Sequence, residues 1–216
     1  MPKLNFLILS GPTREYIDPV RFITNESSGK MGQALANAVL AAGHKLTFIT
    51  GPAAFLPETK SSNLNIINVM SALEMFKALK ENFKQADIII SAAAIADFRV
   101  KKISKHKIKK SADLTLELIK NPDLISFCGK HKKQKVVVGF ALETQKLLEN
   151  AKKKLLEKNL DLIVANTQKS FGADISAAYI LSRDKDTIKL LNVSKDEIAR
   201  RIVDESVRIF KGFKHG

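Results

Sequence analysis

The chain has 216 residues, 45% hydrophobic and 27% charged, and a formal net charge of +14. This length fits one domain over 1–216 with enough apolar content for a core, which excludes disorder as the main state. No apolar run reaches the roughly 18 residues of a membrane-spanning helix, and one cysteine with four scattered histidines excludes a disulfide framework or a cysteine-rich zinc site.

The apolar stretch Leu4 to Leu9 is too short for a signal peptide, so the expected compartment is the cytoplasm. Bounded by Gly11-Pro12, it reads as a buried strand. Lys30 to Ala42 has helical spacing and stops at Gly43, with Ser27 or Ser28 as expected caps. Leu46 to Thr50 is a second strand. Ser71 and Glu74 form a capping-box pattern for a helix to about Lys84. Asp87 to Ser91 is a third strand and Asp123 to Lys130 a helix. Val136 to Gly139 is a fourth strand, rich in β-branched residues. Thr144 is the expected cap of a helix to Lys158, and Leu160 to Ala165 a fifth strand. Ala178 to Ser182 and Thr187 to Leu191 flank a charged turn as a C-terminal hairpin. Ser194 and Glu197 start a last helix to about Phe210, leaving Lys211 to Gly216 as a tail.

Strand–helix alternation of this kind predicts an α/β fold in three layers, with a mainly parallel sheet covered on both faces. Its ligand belongs beyond the carboxyl ends of the strands, near the topological switch point. Arg99 to Ala112 breaks the alternation. It is lysine-rich, lacks apolar periodicity and reads as a long loop or flap.

Small and polar residues gather after the strands. Ser10 to Glu15, Asp18 to Arg21 and Thr24 to Gly32 crowd the first connection, with Gly29 and Gly32 permitting close backbone approach at a helix N-terminus, where anions bind. Neither the P-loop nor the dinucleotide fingerprint occurs, and Gly51-Pro52 stands where an NAD-binding acid is expected. After the third strand, Ser91 to Ala94 lets a flat ligand lie against the backbone. Asp97 fits a base or ribose donor, or else a helix cap or a partner for Arg99. Asn121-Pro122-Asp123 precedes a helix, Gly139 to Thr144 follows the fourth strand, and Lys154 and Lys158 share a helix face. Between Arg99 and Lys158 there are 17 Lys and Arg against 6 Asp and Glu. A solvated lysine surface accounts for part of that excess, and an anionic partner for the rest.

These stretches, in order, resemble the phosphopantothenate–cysteine ligase family: Ser10 to Glu15, Asp18 to Arg21, Asn25 to Gly32, Ala92 to Asp97, Lys107 to Lys110, Lys120 to Asp123, Gly139 to Thr144 and Asn159 to Asn166. The resemblance implies a Rossmann-like homodimer with a flap. It implies ligation of 4′-phosphopantothenate to cysteine through an acyl-nucleotidyl intermediate, with a nucleoside triphosphate and Mg²⁺. CTP is favoured over ATP by the bacterial-looking motifs. The flavin decarboxylase domain often fused ahead of this one is not in the sequence, which fits a stand-alone form.

By resemblance, Asn25 serves conversion of the intermediate and Lys107, on the flap, its formation. Asp97, Asn121, Pro122, Asp123, Leu124 and Phe140 match nucleotide-binding positions, and Lys154 and Lys158 match triphosphate contacts. Ser91, Ala92 and Ala93 lie against the nucleotide, Gly11 lines the phosphates, and Gly29 and Lys30 join Asn25 at the substrate. No residue is assigned as a metal ligand, and Cys128 is read as a small core residue. Ile95 replaces a frequent valine, and Ile175 to Ala178 departs from the family after Phe171 to Asp174.

Three other readings carry different expectations. A nucleic-acid module would spread its lysines over one broad face and use aromatics, which are only 6% here. A non-catalytic homologue would have lost Asn25 or Lys107, and both are present. A flavin or nicotinamide enzyme lacks its fingerprint. Nucleic acid and membrane are therefore not expected partners.

Overall fold

The structure, a computed structural model, describes residues 3–53, 55–59, 61–110, 113–143, 145–167, 175–183 and 185–215. The first apolar run forms β1 (Asn5–Ser10), followed by a short hairpin of β2 (Arg14–Asp18) and β3 (Arg21–Thr24). Then come α1 (Lys30–Ala41), β4 (Lys45–Thr50), β5 (Leu64–Asn68), α2 (Ala72–Phe83) and β6 (Ile88–Ser91). A second ribbon pairs β7 (Phe98–Val100) with β8 (Leu118–Lys120) and brackets the flap segment. The chain continues through α3 (Leu124–His131), β9 (Val136–Glu143), α4 (Leu147–Glu157) and β10 (Leu162–Thr167). It closes with β11 (Ile175–Ser182), β12 (Ile188–Ser194) and α5 (Lys195–His215).

Eight strands form one sheet in the order β12-β11-β10-β9-β6-β1-β4-β5. From β5 across to β10 all pairings are parallel. The terminal hairpin is antiparallel and closes one edge. The chain winds outward from β1 to β4 and β5, then returns to the other side of β1 as β6. The switch point therefore lies between β1 and β6.

Period-2 alternation divides the core. Phe6, Ile8, Ile88, Ile90, Val136 and Val138 face α1 and α5, whereas Leu7, Leu9, Ile89 and Val137 face α2, α3 and α4. Apolar side chains on both faces of a strand require cover on both faces, so helices on each side complete three layers. His44 stacks on Phe6 at 5.3 Å between ring centroids, and burial, with Lys211 and the chain's amino terminus, pushes its pKa down.

Several boundaries differ from expectation. The β2–β3 hairpin, β5 and the β7–β8 ribbon have no clear sequence signal, because each is only three to five residues long. Arg99 and Val100 belong to β7 rather than the flap. Strand β9 runs on to Glu143, so Phe140, Ala141 and Leu142 lie within it, not beyond it. Helix α5 continues to His215, through most of the expected tail. Neither Ser27 nor Ser28 is the N-cap of α1; Gly29 is, with a φ of 85° that an L side chain strains to adopt. Helix α4 starts after Lys146, and Thr144 and Phe171 to Asp174 lie outside the described residues. The caps at Ser71 and Ser194 form, through hydrogen bonds from the Glu74 and Glu197 N–H groups.

Candidate functional site

At the carboxyl ends of β6 and β9 a cavity of about 450 Å³ opens beside the switch point. Its floor is Ser91, Ala93 and Gly139; its walls are Ile95 from the loop after β6, Phe98 and Phe140 from strands, and Asn121 to Ile125 from the start of α3. Lys154 and Lys158 reach it from α4 and the residue that ends it. Small residues over the strand ends leave the backbone open to a flat ligand, and two ammonium groups at one rim set a positive potential there.

The loop over β6 is locked in place. Ala94 N–H donates to the Gly11 carbonyl at 2.9 Å, and Ala96 N–H to Thr13 Oγ1 at 3.0 Å. Asn121 Nδ2 donates to the Ala96 carbonyl at 2.8 Å, and its own N–H to the Asp97 carbonyl. Arg99 spans the ribbon instead of pairing with Asp97, donating to the Lys120 carbonyl at 2.6 Å and to Asn121 Oδ1 at 3.1 Å. Among the described residues the exposed Asp97 carboxylate has neither hydrogen-bond nor ion-pair partner, and it lines the cavity.

Asp123 combines two duties. It is the N-cap of α3, accepting from Ser126 N–H at 3.0 Å, and it accepts from Lys158 Nζ at 2.7 Å. Burial pushes its carboxyl pKa up, but the Lys158 ammonium and the Ser126 N–H outweigh this and hold it below the usual value. Lys154 Nζ lies 3.3 Å from the Phe140 carbonyl. The two lysines, four residues apart on one helix face, line one rim and are engaged by different partners, the Phe140 carbonyl and Asp123.

Of the expected nucleotide positions, Ser91, Ala93, Asp97, Asn121, Pro122, Asp123, Leu124, Phe140, Lys154 and Lys158 line this cavity. Ala92 does not: its side chain packs on the opposite core, against the α1 face. Gly11 (φ 71°) and Gly29 lie at the neighbouring connection, where each packs against Ala53. Gly32 presses α1 against β1, because a Cβ there would overlap the Ser10 hydroxyl. That hydroxyl is buried and is the one buried side-chain polar atom without a partner among the described residues. Lys30 Nζ lies over the Phe55 ring.

Asn25 follows β3 and is exposed; its Nδ2 donates to the Ile95 carbonyl at 3.0 Å, one residue contact from the cavity wall. Lys107 is exposed in the flap and lies outside the cavity lining. Thr13 and Phe98 carry no role of their own in the sequence reading, and Arg99 is read there only as a candidate partner of Asp97. They act through backbone bonds and ribbon pairing, for which no local motif exists. Cys128 is fully buried in the core under α3, and burial pushes its thiol up to about 12. No helix among the described residues is long and apolar enough to cross a membrane.

Residues 1–209 match the family model described as DNA/pantothenate metabolism flavoprotein C-terminal domain. Over 219 aligned residues the chain is 43% identical to the coenzyme A biosynthesis bifunctional protein CoaBC of Haemophilus influenzae, covering 96% of this chain and 52% of that one. The CoaBC of Bacillus subtilis is 41% identical, with 95% and 51% covered. The chain thus spans about half the length of these curated relatives. A crystal structure of the C-terminal domain of CoaBC superposes with a TM-score of 0.82 at 33% identity, covering 99% of this chain and 97% of that one. A Cab2 mutant solved with phosphopantothenate-cysteine shares the fold, with a TM-score of 0.81 at 20% identity over 98% of this chain and 88% of that one.

Proposed function

Because this chain belongs to the DNA/pantothenate metabolism flavoprotein C-terminal domain family, we propose that it is a ligase joining 4′-phosphopantothenate to cysteine in coenzyme A biosynthesis. The observation that carries this reading is the cavity with Asp97, Asn121, Lys154 and Lys158 at the strand ends, in a chain aligned along 96% of its length with a CoaBC protein.

The reaction runs in two steps. The phosphopantothenate carboxylate attacks the α-phosphorus of a nucleoside triphosphate, and pyrophosphate leaves. The cysteine amine then attacks the acyl carbon, forming the amide and releasing the nucleoside monophosphate. The substrates supply both nucleophiles, so the protein has to align them and stabilise charge. That fits a core cysteine and a site that offers cations and neutral donors beside the Asp97 acceptor.

Asp97 offers an open acceptor to a base or ribose donor, and Lys154 and Lys158 meet the phosphates. Lys107 supplies a cation to the reacting phosphate as pyrophosphate departs. Asn25 offers a neutral amide to the polarised acyl group. Gly11, Gly29 and Lys30 frame a phosphate at the start of α1, where the N-cap Gly29 has no side chain to offer and the buried Ser10 hydroxyl has no partner. CTP is the preferred nucleotide. Mg²⁺, held mainly by the triphosphate, would neutralise phosphate charge when bound, as a hard cation does.

Residues 1–216 act as one domain, in the cytoplasm and as a homodimer. The exposed Val20, Phe22, Phe98 and Leu118 on the two adjoining ribbons, with Ile103 in the flap, support self-association there. The β11–β12 hairpin forms the sheet edge and exposes Leu191.

The test is pyrophosphate release from 4′-phosphopantothenate, Mg²⁺ and cysteine, with CTP and ATP in parallel. Release that requires phosphopantothenate and prefers CTP is expected. A folded protein that releases none with either nucleotide would overturn the reading.

A further inference from the structure

The β2–β3 hairpin carries a polar clamp that the two proposed chemical steps do not use. Asp18 is fully buried, yet its carboxylate accepts four hydrogen bonds. Oδ1 takes the N–H groups of Val20 and Arg21 at 2.9 and 3.0 Å, which closes the hairpin turn. Oδ2 takes Arg21 Nε at 2.9 Å and, from the far side of the chain, the Ile108 N–H at 3.1 Å. The Arg21 terminal nitrogen donates in turn to the Ile108 carbonyl at 2.6 Å. Both backbone polar groups of Ile108 are thus held by one ion pair.

Closing the turn needs Oδ1 alone. The second oxygen and the guanidinium reach out to the flap instead. Residues 101–110 form no helix or strand of their own, so such tethers decide where the segment lies. A further tether runs from the Ser104 N–H to the Ile17 carbonyl, also on this hairpin. Ile108 directly follows Lys107, and fixing its amide and carbonyl fixes the peptide from which the Lys107 side chain departs. Asn25 stands just past the other strand of the same hairpin. Burial would push the Asp18 carboxyl up, but the N–H groups of Val20, Ile108 and Arg21 and the guanidinium outweigh it, so the clamp is ionised at neutral pH.

Resting on the reading that Lys107 acts on the reacting phosphate, we propose that Asp18 is a positioning residue: with Arg21 it anchors Ile108 and so sets Lys107 in register with Asn25. Asp18 touches no substrate and acts only through the flap.

Asp18→Asn keeps the size of the side chain and removes the charge, leaving an NH₂ group to face either the Ile108 N–H and the Arg21 guanidinium or the N–H groups of Val20 and Arg21. The expected result is a loss of about 100-fold in kcat for pyrophosphate release, with KM for CTP changed less than twofold, the scale of a reacting group displaced by about 1 Å. Amide hydrogen exchange at residues 104–110 should quicken. In a Lys107→Gln background the same substitution should lose less than threefold further, because groups acting through one another are not additive. An equal loss in both backgrounds, or wild-type kcat with wild-type flap exchange, overturns the proposal. Should Asp18→Asn not fold, Arg21→Lys, which cannot bridge Asp18 and the Ile108 carbonyl as a fork, should give the same pattern at smaller size; wild-type kcat there overturns it too. If the wild-type protein releases no pyrophosphate, the functional reading is what fails. The exchange measurement then decides the clamp alone, and an unchanged flap overturns it.

Discussion

Two regions meet at the candidate site, and they are built differently. The side proposed to hold the nucleotide is an outgrowth of the core: Ser91 and Gly139 end or interrupt buried strands, Asp123 caps a helix, and Lys158 ends another. The side proposed to react, with Asn25 and Lys107, lies after a short hairpin and in a flap held by a few polar tethers. Apolar packing fixes the first within a cooperative unit. The second is held by local bonds that can open on their own. A binding surface made of core ends stays preformed, whereas reacting groups on tethered segments can follow a substrate through two successive steps.

Substitutions should separate the two regions. The largest effects belong to the reacting side. Lys107→Gln should slow pyrophosphate release by about 100- to 1000-fold, the usual loss on removing a charge-stabilising donor. Asn25→Asp should release pyrophosphate but accumulate the acyl-nucleotide, read by quenched-flow chromatography; steady turnover with no trapped intermediate would sink that role. Lys107→Gln should not shift the melting temperature, because the side chain is exposed, whereas Asn25→Asp should lower it slightly by losing the bond to the Ile95 carbonyl.

On the nucleotide side the balance reverses. Gly129 of α3 lies so close to the Lys158 carbonyl that a Cβ would overlap it. Gly129→Ala should destabilise the protein by about 1–3 kcal/mol, as overpacking does, measured by thermal or denaturant unfolding. An unchanged midpoint would mean that α3 shifts freely against the end of α4.

The smallest effect is expected at Lys158. Lys158→Gln should raise KM for the nucleotide about tenfold, a difference of about 1.4 kcal/mol, and leave kcat nearly unchanged. It also removes the main partner of Asp123. The Asp123 carboxyl is held below its ordinary value in the folded protein. The stability it contributes is therefore present above the unfolded-state pKa and lost as pH falls through the lower folded one. Melting temperatures of wild type and Lys158→Gln should converge as pH falls below the ordinary carboxylate range. A gap that stays constant down to pH 3 would show that the pair adds nothing.

Sequence by itself determined the layered fold. The strands β1, β4, β6 and β9 announce themselves as apolar runs because both faces of a central parallel strand need apolar cover. Ser71 with Glu74, and Ser194 with Glu197, mark helix starts because a cap bonds within its own first turn. The candidate nucleotide residues were legible for a related reason, since they sit directly after strands or before helices, where small and polar types stand out. Only the tertiary structure decided what distant groups do to one another. Period 2 turns Ala93 into the cavity and Ala92 into the opposite core, but nothing local says which face holds the cavity. Gly29 rather than a serine caps α1 because of how the chain arrives from β3. Arg99 leaves Asp97 open because its partners are the Lys120 carbonyl and Asn121, brought near by a three-residue ribbon. Asp18 reaches Ile108 across 90 residues. Hydrogen bonds between such segments are specified by the fold that brings them together, and they leave no periodicity in the sequence.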